Sequence, residues 1–183
     1  MGRVSRQQAA ANRAGVVAAA SAMFRRRGLD GVGIDALMAE AGLTRGGFYG
    51  QFGSKEALAG EACTHAFDEA ERAWEALAED GAGGRRRGLV GWYLGARPSA
   101  CPMATLAGDA ARAPAGGAMR LAFTAGLQRL ARSIAGERRD EKGLALLAAM
   151  VGAVVLRRAS EDEALADAID AAVLRMVEVE ARA

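Results

Sequence analysis

GIDALMAEAGLTRGGFYGQFGSK, residues 33–55, is the stretch that decides how this chain folds. Ile34, Leu37, Met38 and Ala41 recur at helical spacing and give a first short helix one apolar stripe, and Gly42 supplies the permissive backbone that ends it. Thr44 then stands as the cap of a second helix. In that helix Arg45, Gly46, Gly47, Tyr49 and Gln51 are slim or polar, while Phe48 and Phe52 lie four apart and anchor it to a core. Ser54 caps a third helix with Lys55 in its first turn. Two short helices joined by a tight turn, the second presenting slim and polar side chains, make an element suited to entering a DNA groove.

Within this stretch, GLTRGGFYGQFGSK from Gly42 to Lys55 resembles the helix-turn-helix signature of the tetracycline-repressor (TetR) family of bacterial transcription regulators. Upstream, Val16, Ala19, Ala20, Phe24 and Gly28 match the apolar spacing of that family's first helix. The resemblance covers residues 6–69, a DNA-binding domain, and leaves 70–183 as a helical effector-binding and dimerisation domain. It implies that Arg45, Gly46 and Gly47 approach base edges and that Tyr49 and Lys55 hold phosphates, with Thr44 and Gln51 completing the contact set. It also implies a double-stranded DNA operator, a homodimer and a small-molecule effector that releases a repressor. Two positions depart from the pattern: Gly33 replaces the usual Ser or Thr cap, and Gln51 replaces the usual His.

Composition agrees with an all-α fold. Alanine dominates the 183 residues, aromatic residues make up 5%, and no run of alternating Val, Ile and Thr suggests a strand. The net charge of +2 is unevenly spread. Residues 1–60 hold eight basic against four acidic side chains, which leaves sixteen basic and eighteen acidic in the rest. A basic N-terminal part on a slightly acidic body concentrates phosphate attraction at one end. The Arg25, Arg26, Arg27 run reads either as a solvated helix end or as part of that attraction.

Along the chain, helices are expected over 6–27, 54–79, 89–96, 102–112, 117–135 and 140–158, with a last one opened by Ser160 and Glu163 as a capping box. Gly81, Gly83, Gly84 and Gly88 suggest a loop carrying Arg85, Arg86 and Arg87, and Pro98, Pro102 and Pro114 punctuate the helices. The longest apolar run, 143–156, spans about 21 Å at ~1.5 Å per residue, short of a bilayer core of about 30 Å. No membrane partner is expected, and the chain is expected to be cytoplasmic. Leu147, Val151 and Val155 on one of the last two helices, with Ile169 and Val173 on the other, form apolar faces that serve either an internal core or a dimer interface.

No catalytic, metal or cofactor set is expected. His65 is the only histidine, and Cys63 two positions away points about 200° around a helix from it. A phosphate-cradling glycine loop and metal-ligand spacing are both missing. Cys101, before Pro102, reads as a helix N-cap whose thiol is either a packed capping residue or a reactive, low-pKa sensor. Trp74, Trp92, Met103, Phe123 and Leu127 are candidates for lining a ligand pocket, though core packing explains them too. Two other functions remain open: a helical protein-interaction module with a degenerate DNA-reading element, and an enzyme on a helical bundle, which the missing clusters oppose.

Overall fold

The computed structural model describes residues 5–78, 85–96, 101–137 and 140–180, and all the regular structure among them is helical. Among the described residues nine helices follow in order: α1 (Arg6–Arg27), α2 (Ile34–Glu40), α3 (Lys55–Ala78), α4 (Arg85–Ala96), α5 (Pro102–Thr105), α6 (Ala107–Arg112), α7 (Ala118–Ala135), α8 (Glu141–Ala159) and α9 (Glu163–Glu180). A single 3₁₀ turn, Arg45–Gly47, lies between α2 and α3. The expected Gly81, Gly83 and Gly84 loop, Pro98 and residue 79 fall outside the described residues.

Side-chain caps set four of the helix starts. Ser5 accepts from Gln8 N at 3.1 Å, Ser54 from Ala57 N at 3.0 Å, Asp140 from Gly143 N at 2.7 Å and Asp162 from Leu165 N at 3.0 Å. Each satisfies one of the four amide groups that a helix leaves unpaired at its start. The last of these corrects the expected Ser160 and Glu163 capping box: Asp162 caps α9, and Ser160 Oγ, two residues earlier, accepts from Asp162 N at 3.0 Å.

Two further expectations change. Arg85, Arg86 and Arg87 open α4 rather than riding on a loop, and Gly88 lies within the helix. Arg86 explains the docking of this end, since it donates to the Ile134 carbonyl at 3.1 Å and pairs with Asp140 at 2.9 Å, tying α4 to the end of α7 and the start of α8. The helix expected over 102–112 breaks at Leu106, which is buried between α5 and α6 with its backbone at φ −105° and ψ −4°.

α3 is the spine. It packs along α7 on one side and α1 on the other, while α8 and α9 pair with each other and close against α7 and α4. The α3–α7 seam is unusually close. A Cβ built on Gly126 would lie 2.1 Å from the Phe67 ring, so only a glycine lets that ring, 5.4 Å edge-on from Phe123, fill the seam. Arg129 of α7 fastens the same seam to Asp68 at 2.5 Å and Glu71 at 2.9 Å. One continuous core results, from Val16, Phe24 and Leu37 through Phe67 to Tyr93, Leu130 and Met150.

The N-terminal helices join the body at two further points. Asp109 of α6, buried, accepts from Leu29 N at 3.1 Å and pairs with Arg112 at 2.6 Å. Arg25, in the last turn of α1, pairs with Glu69 of α3 at 2.7 Å.

Candidate nucleic-acid interface

Apolar side chains on the inner side seat the helix-turn-helix on the core. Leu37 and Met38 of α2 are buried, as are Phe48 and Phe52, whose rings lie 5.6 Å apart. Burying each phenylalanine contributes about 2–3 kcal/mol relative to exposure. Arg13 of α1 caps this layer, with its guanidinium 4.7 Å from the Phe52 ring centre and a two-pronged pair to Glu61 of α3 at 2.5 and 2.6 Å. Arg13 therefore holds α1, the turn and α3 together, and its charge is matched by Glu61. Between α2 and the reading turn, Gly42 takes φ +69°, a left-handed conformation that costs glycine nothing and a side chain about 1–2 kcal/mol.

The second helix is not a full α-helix. Gly47 N donates to Thr44 O at 3.1 Å and Phe48 N to Arg45 O at 3.0 Å, bonds of the tighter three-residue kind, and turns continue to Gln51. The physical reason lies in Gly46, Gly47 and Gly50, since each glycine costs about 1 kcal/mol against alanine in a helix interior. Thr44 occupies the cap position, yet its side chain makes no capping bond. Its hydroxyl belongs to an exposed residue at the lip of the turn.

Outward from this layer stand Thr44, Arg45, Gly46 and Tyr49, with Gly47, Gln51 and Lys55 half-exposed beside them. Tyr49 is 64% exposed, and its ring is braced edge-on against Phe48 at 5.1 Å. Arg45 pairs with Asp35 of α2 at 3.0 Å, and both side chains are about two-thirds exposed. A surface pair of this kind is worth about 0–1 kcal/mol, so a phosphate or base edge can draw Arg45 away. Gln51 Oε1 is buried without a hydrogen-bond partner. Of the basic run at the end of α1, Arg25 turns inward to Glu69, whereas Arg26 and Arg27 are exposed.

A second feature lies in the body. An open cleft of about 500 Å³, mouth included, is lined by Arg25 of α1, Glu69 and Trp74 of α3, Trp92 and Tyr93 of α4, and Cys101. Trp74 and Trp92 were among the pocket candidates. Met103 is instead buried core, Phe123 packs edge-on against Phe67, and Leu127 lies 36% exposed on the surface. Sequence reasoning missed Arg25 and Glu69, because residues 44 apart on two helices carry no local signal of pairing.

Cys101 does cap α5, but the expected low pKa is corrected. Its thiol is buried and accepts from Tyr93 Oη at 2.9 Å; burial pushes its pKa up, and that outweighs the lowering by Tyr93 and nearby backbone amides. A four-residue helix offers little dipole to oppose this. Cys63, buried inside α3, is pushed up to about 12 by the same loss of water. His65 is half-exposed and 3.8 Å from Glu69. Among the described residues no cluster of three potential metal ligands forms, and no helix is long and apolar enough to cross a membrane.

The expected interface face also turns. Leu147 and Val173 point into the chain's own core, Val151 and Ile169 are half-buried, and Val155 is 42% exposed. Among the described side chains, the large apolar residues that α8 and α9 leave open are Leu144, Val155, Leu156, Leu165 and Met176.

Against known proteins, residues 16–62 match the model of the tetR family of bacterial regulatory proteins. No match is found among curated protein sequences. Several solved structures share the fold. A TetR transcriptional regulator from Chloroflexus aurantiacus is 23% identical, with 94% of this chain and 96% of that one covered at a TM-score of 0.75. The reduced form of E. coli NemR is 20% identical over 89% and 95%, with a TM-score of 0.71. A TetR-family regulator from Cytophaga hutchinsonii is 16% identical over 97% of both chains, also at 0.71. Residues 16–62 are thus similar to the tetR family's DNA-binding region, and the architecture around them is the fold that these solved regulators share.

Proposed function

We propose that the chain is a cytoplasmic, homodimeric repressor that leaves its operator when a small molecule occupies the body. The reading divides it into a DNA-binding domain, 6–69, and an effector-binding and dimerisation domain, 70–183. One observation carries it: Arg45, Gly46 and Tyr49 stand exposed on a turn whose Phe48 and Phe52 are fully committed to the core. Side chains so mounted enter a groove as a rigid unit. Arg45 is suited to a guanine edge, and Gly46 and Gly47 allow close backbone approach. Tyr49 and Lys55 are suited to phosphates, with Thr44 and Gln51 at the rim.

The proposed dimer joins the open faces of α8 and α9, with Leu144, Val151, Val155, Leu165, Ile169 and Met176 meeting their symmetry copies. Ala148 and Gly152 keep the two α8 helices close. Two reading heads related in this way address half-sites about 34–36 Å apart, one DNA turn. The effector is assigned to the cleft, because it touches α1 of the reading head as well as α3 and α4 of the body.

Selection from a random DNA pool tests this reading. The purified protein is expected to enrich a palindrome with half-sites one turn apart, and recovery of random sequence would overturn it.

A further inference from the structure

We propose that the cleft takes a small aromatic anion, one or two fused rings bearing a carboxylate, and that this carboxylate displaces Glu69 from Arg25. The inference rests on the effector reading above and names the ligand class that the reading leaves open.

The shape of the cleft selects the ring. Trp74, Trp92 and Tyr93 contribute aromatic walls, with Trp74 and Tyr93 edge-to-face at 6.1 Å, and Ala70 and Ala73 keep the α3 side shallow. Flat apolar ligands are favoured by such walls, and a single polar group fixes their orientation.

Asymmetry in the ion pair selects the charge. Arg25 is 12% exposed and held in place from behind, where its Nε donates to the Ser21 carbonyl at 3.0 Å. Glu69 is 41% exposed and free of any such clamp on its own helix, with His65 Nδ1 3.8 Å away. When a ligand enters, Glu69 can turn to water at little cost, whereas a nearly buried guanidinium requires an anion in its place. A carboxylate supplies one in two-pronged geometry. A cationic ligand would have to pair with Glu69 instead, taking that carboxylate from Arg25. Arg158 adds positive potential from α8, lowering the pKa of both Tyr93 and Cys101 against the larger effect of burial.

The exchange has a structural consequence. Arg25 lies in the last turn of α1, and Glu69 lies on α3, so the ligand replaces a direct tie between reading head and spine with its own bridge to the body.

The chain's two tryptophans both line the cleft, which makes their indole N–H resonances a direct reporter. The full-length protein, labelled with ¹⁵N and assigned through Trp92→Phe, is titrated with benzoate, benzamide and benzylammonium. Benzoate is expected to shift both indole signals and to bind roughly tenfold tighter than benzamide. Glu69→Gln, which removes the competing carboxylate, is expected to tighten benzoate several-fold, and Arg25→Gln to erase its advantage over benzamide. A merely structural role for the pair would instead make Glu69→Gln neutral or weakening for benzoate, and either result overturns the exchange. Benzylammonium binding as tightly as benzoate would overturn the anion assignment and leave the effector reading standing. If none of the three probes moved either indole, the ligand class and the placement of the effector in this cleft would fall together.

Discussion

The reading turn and the α3–α7 seam are both built on glycine, and to opposite ends. In the seam, Gly126 leaves room that the Phe67 ring fills to within 2.1 Å of a notional Cβ. In the turn, Gly46 faces open space with nothing within 4 Å, beside an exposed arginine and tyrosine. A small residue against a packed neighbour is structural. The same residue against nothing, on a rigid mount, is a place kept clear for a partner. Surroundings rather than residue type separate the two.

The largest effect is expected at the body's open face. An aspartate at Val155 would sit unpaired in the proposed interface at a cost of several kcal/mol, enough to separate the subunits. Light scattering at micromolar concentration should then give a monomer; a dimer would move the interface elsewhere.

Next is the buried thiol beside the seam. Cys63 has a folded pKa of about 12, above its ordinary value of 9.0, so the fold favours the neutral thiol. Its contribution is complete below pH 9 and is lost as pH rises from there toward 12. At about 1.4 kcal/mol per unit the loss approaches ~4 kcal/mol. Urea melts of wild type and Cys63→Ala across this range should show a flatter alkaline decline in the variant. Parallel declines would mean that other groups govern it.

Glycine substitution then sets the two regions side by side. Gly126→Ala forces the Phe67 ring out of place and should cost about 1–3 kcal/mol or more. Gly46→Ala should leave stability unchanged or raise it by about 0.4–1 kcal/mol while weakening DNA binding. Equal melting points for the two variants would erase the distinction between a filled and a kept-clear position.

Much of this division was legible in the sequence. Gly42, the Phe48 and Phe52 pair, Ser54 and Asp140 act through neighbours within four residues, which is why their roles could be read along the chain. Reading went wrong where longer-range contacts decide. Arg85–Arg87 looked like loop because glycines surround them, yet Arg86 finds its partners 48 and 54 residues away. α8 is apolar almost all round, so periodicity could not tell the inward Leu147 from the outward Val155. The reading helix was expected to be regular because its apolar spacing is, and the glycines between those anchors shortened it. The cleft's charged pair joins two helices that meet only in the folded chain.

A small change is expected at Asp35. Asparagine there would release Arg45 and remove a carboxylate near the proposed phosphates. The pair is worth no more than about 1 kcal/mol, so operator affinity should rise by at most about fivefold. A fall would show that Asp35 orients Arg45 for binding.

The division between base-reading and phosphate-holding groups on the turn is tested most directly by titrating operator and scrambled DNA with wild type, Arg45→Ala and Lys55→Ala at several salt concentrations. Arg45→Ala should lose about 1–3 kcal/mol on operator and little on scrambled DNA. Lys55→Ala should weaken both alike and flatten the salt dependence by about one unit of slope. Equal losses on both DNAs for Arg45→Ala would contradict the account, because the turn would then hold the backbone without reading sequence.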